Sequence, residues 1–177
     1  GCGYHGGLSV ALYAALPSGW LSRHTDYPYC VSRVMDLQRL VDTFNFLDNW
    51  EDKYRVLIDM GRKLPELPDT SRTEANRVDG CTSNVWLETT VSDDTPPRIY
   101  FSADSDAFIV KGLVAILLEA YSGKTAQEIL DTDIESLFDE LGLAQQLTAN
   151  RRDGFVSMVK AVRTQALATQ AGASNSA

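Results

Sequence analysis

Apolar residues recur with a helical period from residue 35 onward. The first apolar stripe has the spacing of one helix face and comprises Leu37, Leu40, Val41 and Phe44. A second stripe runs through residues 50–58, and Asp48 with Glu51 resembles the capping box that begins a helix. Gly61 and the prolines after it predict the end of this helix, and residues 62–76 are expected to form an extended polar connection.

The pattern changes to a period of two in the next segment. Apolar and polar side chains alternate over residues 85–91, residues 92–97 are rich in turn formers, and residues 98–103 are rich in β-formers. This pattern predicts an antiparallel hairpin with one buried face.

Helical patterns return after the hairpin. Residues 107–121 are apolar on nearly every side, which is typical of a central buried helix, and we expect Asp104 or Asp106 to cap it. A Thr125 capping box and Asp133 indicate the starts of two shorter helices, and a last amphipathic helix follows. The sum predicts an α+β fold in which a small antiparallel sheet of about three strands packs against several helices.

The first 34 residues differ from the rest in composition. Residues 1–34 are rich in Gly, Tyr and Ser, and Pro17 and Pro28 interrupt any long helix. We interpret them as an extension, added by an expression vector or an early start codon. Residues 35–170 then form one domain, and residues 171–177 are expected to be a disordered tail.

The net charge of −8 is unevenly distributed. Residues 1–34 carry two basic side chains and one acidic side chain, whereas the remainder carries 14 basic and 23 acidic ones. An acidic body argues against nucleic acid as a partner, and it fits either a basic protein partner or plain solubility. No apolar run is long enough to cross a membrane. Three scattered cysteines, Cys2, Cys30 and Cys81, favour a reducing cytoplasm over a disulfide framework.

The chemistry available after residue 34 is limited. Residues 35–177 contain one cysteine and no histidine, since His5 and His24 both lie in the extension. A zinc or iron–sulfur centre needs several such ligands, and Cys–His or Ser–His–Asp catalysis needs an imidazole. We therefore expect no metal site and no bound cofactor, and no glycine-rich phosphate loop is present. Catalysis by a pair of carboxylates stays open.

Two features stand out among the remaining polar residues. Cys81 lies on a predicted loop before the first strand, and Gly80 permits the sharp turn that would expose the thiol. A free cysteine is also often just a small buried apolar residue, so both interpretations stay open. Arg151 and Arg152 lie near the start of the last helix, where cations oppose the helix dipole. They either bind an anion or are simply solvated.

Several blocks between about residues 37 and 169 resemble the SufE family. The matched blocks are 50–54 (W-E-D-K-Y), 61–65 (G-R-K-L-P), 76–86 (N-R-V-D-G-C-T-S-N-V-W), 104–113 (D-S-D-A-F-I-V-K-G-L) and 147–154 (L-T-A-N-R-R-D-G). The chain departs from the family pattern at Ala149 and Asn150, where Pro-Ser is usual, at Asp153, where Asn or Gln is common, and at Thr82, where Gln is frequent.

The resemblance implies a SufE/NifU-like fold and the role of a sulfur acceptor in the bacterial cytoplasm. A cysteine desulfurase of the SufS or CsdA kind would pass persulfide sulfur to Cys81 and be stimulated by this chain. Pyridoxal phosphate would belong to that enzyme, and the sulfur would continue to a downstream iron–sulfur scaffold. The chain would then be a transpersulfidation partner rather than a stand-alone enzyme.

The same match implies roles for further residues. Arg151 and Asp106 become candidate catalytic helpers of Cys81, and Gly80 becomes the hinge of a moving loop. Asp106 also has the simpler interpretation of a helix cap. The alternatives are an adaptor that only regulates the desulfurase, a redox-sensing thiol, and a cluster scaffold of the IscU/NifU type, which would need about three cysteines. The identity of the desulfurase and a homodimer stay open.

Overall fold

The computed structural model describes residues 37–174. These residues form six α-helices and three strands, in the order α1 (Leu37–Phe46), α2 (Trp50–Arg62), β1 (Val85–Val91), β2 (Arg98–Ser105), α3 (Phe108–Tyr121), β3 (Lys124–Thr125), α4 (Ala126–Asp131), α5 (Ile134–Glu140) and α6 (Ala149–Ser174). The predicted extension of residues 1–34 lies outside the described residues.

The three strands form one antiparallel sheet in the order β1-β2-β3. β1 pairs with β2 along its whole length, with Val85 opposite Ser105. Ile99, Phe101 and Ala103 of β2 are buried, because alternate side chains of a strand point to the same face. The predicted hairpin and the α+β class are confirmed.

Helix α3 is the centre of the domain, since ten of its 14 residues are buried. It packs against α2, the sheet and α6. Glycines allow the close approach of α2: a Cβ on Gly61 would lie 2.8 Å from the backbone nitrogen of Gly112, and a Cβ on Gly112 would lie 2.6 Å from Cγ of Leu57. Gly61 is the penultimate residue of α2 and lies at the helix crossing, so the helix ends within one residue of the predicted position.

The predicted start of α2 is wrong by one residue. Asn49, not Asp48, caps the helix, and its Oδ1 accepts a hydrogen bond from the N–H of Asp52 at 2.9 Å. Asn and Asp are equally good caps, and both positions have an acidic residue three places later, so the pattern fits either register. The connection after α2 also holds two 3₁₀ turns, Asp69–Ser71 and Glu74–Asn76, where the sequence predicts an extended chain.

The other helix ends give a mixed result. The capping box of Thr125 and the cap at Asp133 are confirmed. Neither Asp104 nor Asp106 caps α3, because both carboxylates are bound elsewhere. Helix α6 continues to Ser174 through part of the predicted tail. Alanine, which is frequent there, is the best helix former.

None of the helices between residues 37 and 174 has the length and apolarity that a bilayer crossing requires. In the same range no three His, Cys, Asp or Glu side chains are grouped so that they could hold a metal ion.

Candidate functional site

Cys81 lies on the turn that leads into β1. Gly80 has a φ of +83°, in the left-handed region that glycine adopts without strain. The thiol of Cys81 is half-buried and donates a hydrogen bond to the carbonyl of Gly154, with 3.4 Å between sulfur and oxygen. A Cβ built on Gly154 would have its three nearest neighbours in Cys81, with Sγ at 3.6 Å. The missing side chain of Gly154 therefore leaves space beside the thiol.

A cavity of about 260 Å³ opens beside this thiol. Its walls come from the Cys81 loop, α3 and the start of α6, and they comprise Cys81, Thr82, Ser83, Val110, Thr148, Asn150, Arg151, Gly154 and Met158. Among residues 37–174, no carboxylate lines the cavity, and the side chain of Arg151 forms no ion pair or hydrogen bond. The fold thus brings Cys81 and Arg151 to one cavity and leaves this cation available to an incoming anion.

Asp106 closes the Cys81 loop instead of capping α3. Its carboxylate oxygens accept hydrogen bonds from the backbone N–H of Asn84 at 3.1 Å and from the Asn84 side-chain amide at 2.7 Å. The carbonyl of Asn84 accepts in turn from the N–H of Asp106 at 3.3 Å and from the hydroxyl of Ser105 at 2.9 Å. The end of the loop is therefore tied to the end of β2, directly before α3.

Burial raises the pKa of the Cys81 thiol. The hydrogen bond to Gly154 acts in the same direction, because only the protonated thiol can donate it. The thiolate is the nucleophilic form of cysteine, so the closed loop holds Cys81 in its less reactive state.

The sequence pattern did not reveal a buried charge cluster around Asp104. This carboxylate lies 2.8 Å from Nζ of Lys111 and 2.7 Å from Nη2 of Arg72. Burial alone would raise the pKa of Asp104, but hydrogen bonds from Lys111, the Ser105 N–H and Arg72 outweigh burial and lower it. The guanidinium of Arg72 also lies 5.9 Å from the ring centre of Trp86. Lys111, one of two charged residues on the mostly apolar α3, is the available signal, because a charge in such a helix needs a partner.

Comparison with known proteins assigns this chain to a family. The family described as "SufE: Fe-S metabolism associated domain" matches residues 38–166. The chain belongs to the SufE family.

Relatives of this SufE domain cover most of the described residues. The chain is 49% identical over 131 residues to an uncharacterised SufE-like protein of Rhizobium etli. The aligned region covers 73% of this chain and 88% of that relative. It is 44% identical over 125 residues to the sulfur acceptor protein CsdE of Escherichia coli K12. That alignment covers 71% of this chain and 84% of CsdE. The solution structure of a hypothetical protein from Thermus thermophilus shares the fold, with a TM-score of 0.62 and 20% identity over 76% of this chain and 96% of that one.

The conformation at Gly80 predicts that its substitution opens the Cys81 loop. Gly80→Ala should lower the free energy of unfolding by about 1–2 kcal/mol, because a Cβ is strained at positive φ, and it should accelerate alkylation of Cys81. The new Cβ would also lie 2.6 Å from Oγ of Ser157. Gly142→Ala is the matched control, since Gly142 has a φ of +71° and lies outside the cavity wall. Equal alkylation rates in the two variants would contradict this account of the loop.

The raised pKa of Cys81 predicts a stability loss at alkaline pH. The folded state favours the protonated thiol, so this stabilisation is fully present below the unfolded pKa of about 8.5 and is lost as pH rises through the higher folded value. Urea unfolding of the full chain should therefore show a steeper loss above about pH 8.5 than unfolding of Cys81→Ser does. Parallel curves of unfolding free energy against pH for the two proteins would show that burial does not raise the pKa of this thiol.

Proposed function

We propose that this SufE-family chain accepts sulfur on Cys81 from the persulfide of a cysteine desulfurase, stimulates that enzyme and carries the sulfur toward iron–sulfur cluster assembly. The main support is the position of Cys81, a half-buried thiol on the wall of an open cavity that also holds Arg151, whose side chain has no partner among residues 37–174. The description of the matched family, and the sulfur-acceptor name of CsdE, support the same role.

The transfer needs one nucleophile and access to it. The thiolate of Cys81 attacks the outer sulfur of the donor persulfide, a new Sγ–S bond forms, and the donor S–S bond breaks. The donor cysteine leaves as a thiolate and takes up a proton, while the sulfur remains on Cys81 as a persulfide. Pyridoxal phosphate belongs to the desulfurase, where it releases the sulfur from free cysteine.

Transfer also requires the Cys81 loop to leave its closed position. The closed thiol is half-buried and donates its proton toward Gly154, which holds back the thiolate. Gly80 is the hinge in this proposal, since its left-handed φ lies directly before Cys81. The hydrogen bonds between Asp106 and Asn84 hold the far end of the loop, so the motion is confined to a few residues.

Arg151 is the candidate helper of the transfer. It lines the cavity, and its guanidinium has no partner among residues 37–174, so it can pair with the negative charge of a persulfide or of the desulfurase. Burial raises the pKa of Cys81 in the closed loop, and no effect of Arg151 accompanies it, so we assign Arg151 to the arriving sulfur.

Two alternatives remain distinct from a carrier. A pure adaptor would bind and stimulate the desulfurase without taking sulfur. A cluster scaffold would need about three ligands, and residues 37–174 hold a single cysteine, which makes this alternative the weaker one.

Substitution of Cys81 separates the carrier from the adaptor. We expect Cys81→Ser to abolish the stimulation of cysteine turnover by the desulfurase, because a hydroxyl cannot attack the persulfide. The measurement is the rate of alanine formation with increasing amounts of each protein. Full stimulation by Cys81→Ser would leave the adaptor as the better interpretation.

Substitution of Arg151 tests the helper role. We expect Arg151→Ala to reduce the maximal stimulation about tenfold or more, because one charge-assisted hydrogen bond is worth about 1.5–3 kcal/mol. Arg152→Ala is the matched control, since the neighbouring Arg152 is bound to the carbonyl of Ala144 at 3.0 Å and does not line the cavity. Equal stimulation by the two variants would remove Arg151 from the mechanism.

A further inference from the structure

The hydrogen bond from the Cys81 thiol to the Gly154 carbonyl can form only while Cys81 carries no sulfur. In the empty carrier the hydrogen on Sγ points toward the Gly154 carbonyl, and the sulfur-to-oxygen distance is 3.4 Å. In a persulfide the outer sulfur replaces that hydrogen on the same atom. The thiol hydrogen of the empty carrier and the outer sulfur of the loaded carrier would therefore occupy the same side of Sγ.

The outer sulfur cannot occupy that direction. An S–S bond is about 2.05 Å long, so a sulfur placed along the present S···O line would lie roughly 1.4 Å from the carbonyl oxygen. Non-bonded heavy atoms rest at about 3.5 Å or more. Either the S–S bond rotates into the adjoining cavity or the loop moves outward, and in both cases the thiol hydrogen bond is lost.

We propose that Gly154 is a positioning residue that distinguishes the empty carrier from the loaded one, because its carbonyl holds the Cys81 thiol and cannot hold the Cys81 persulfide. This inference rests on the proposed function, since it assigns a consequence to the sulfur that Cys81 carries. Loading thus releases the tie between the loop and α6, and the loaded loop opens more readily than the empty one.

The surroundings of Gly154 fit this assignment. An added Cβ there would have Sγ, Cα and Cβ of Cys81 as its nearest neighbours, so the position faces this one residue. Gly154 lies inside α6, where glycine is a poor helix former compared with alanine. The second tie of the loop, from Asp106 to Asn84, involves no atom of Cys81 and is the same in both states.

Hydrogen–deuterium exchange of residues 79–84 in the full chain tests the proposal. All proteins carry Cys2→Ser and Cys30→Ser, so that only Cys81 reacts. The persulfide is prepared without a desulfurase. The Cys81 thiolate first attacks a small aromatic disulfide, one aromatic thiolate leaves, and a mixed disulfide remains on Cys81. Hydrosulfide then attacks Sγ and displaces the second aromatic thiolate, which leaves Cys81 as its persulfide. Failure of the desulfurase to load Cys81 would thus refute the proposed function without affecting this experiment.

We expect the exchange rates of the thiol and the persulfide to differ by the contribution of the Cys81–Gly154 hydrogen bond. Exchange of residues 79–84 should be about two- to tenfold faster in the persulfide than in the thiol, which is the range that loss of one hydrogen bond supplies. Cys81→Ala should exchange as fast as the persulfide, whereas Cys81→Ser, whose hydroxyl can still donate, should remain protected. Equal exchange in thiol and persulfide, or full protection in Cys81→Ala, would overturn the proposal.

A substitution at Gly154 provides an independent arm. Gly154→Leu should displace Sγ, so that residues 79–84 exchange quickly in both the thiol and the persulfide states. Gly172→Leu is the control in the same helix, because a Cβ there would meet no atom within 4 Å, and it should preserve the difference between the states. Unchanged exchange across α3 confirms that each variant is folded. A thiol–persulfide difference that survives in folded Gly154→Leu would contradict the assignment.

Discussion

The burial of α3 on almost every side is the constraint on which the rest of the domain depends. A helix that is apolar all round must be covered by other elements, and here α2, the sheet and α6 cover it. The approach of α2 is limited by backbone atoms at Gly61 and Gly112, where even a methyl group has no room. The position of α3 relative to α2 is thereby fixed closely. The loops at the N-terminal end of α3 are held in place by the same packing.

The candidate site uses this fixed end of α3. Asp106 precedes the helix and holds Asn84, and Val110 in its first turn forms one wall of the cavity. Helix α6 packs on the same central helix and supplies Arg151 and Gly154 from the other side. A loop with a single thiol is therefore framed by two helices, which suits the proposed acceptor, because its sulfur atom must be held in a defined place.

The charge cluster of Asp104 lies at the same end of the domain. A buried ion pair contributes little net stability, whereas removal of one partner from such a pair costs about 3–5 kcal/mol. Asp104 has two cationic partners, one from α3 and one from the connection before β1. This arrangement specifies how the 3₁₀ connection packs against the hairpin, and the position of Arg72 over the Trp86 ring extends it to β1.

Much of this architecture follows from patterns that are local in sequence. The apolar period of α1 and α2, the alternation in β1 and the capping box at Thr125 are each set by residues within one element, and the structure has these elements where the pattern predicts them. The rule for helix caps does not separate Asp48 from Asn49, because both residues satisfy it, and the structure has Asn49 as the cap. The sequence predicts a cap at Asp106 because its actual partner, Asn84, is distant in sequence.

Long-range geometry was the part that sequence could not supply. Nothing in the spacing of Gly154 indicates that its carbonyl meets the thiol of Cys81, since that contact joins a loop to a helix 73 positions away. Sequence spacing also gives no sign of the cluster of Asp104, Lys111 and Arg72, because its members come from three separate segments. Tertiary contacts of this kind arise from the packing of α6 and the sheet on α3.

The proposed function depends above all on the receipt of sulfur by Cys81 itself. The most direct measurement is to incubate the full chain with a cysteine desulfurase and sulfur-labelled cysteine, and then to map the label by peptide mass spectrometry without reducing agent. The account predicts one added labelled sulfur atom on the peptide that contains Cys81. An active desulfurase that leaves this peptide unlabelled would contradict it.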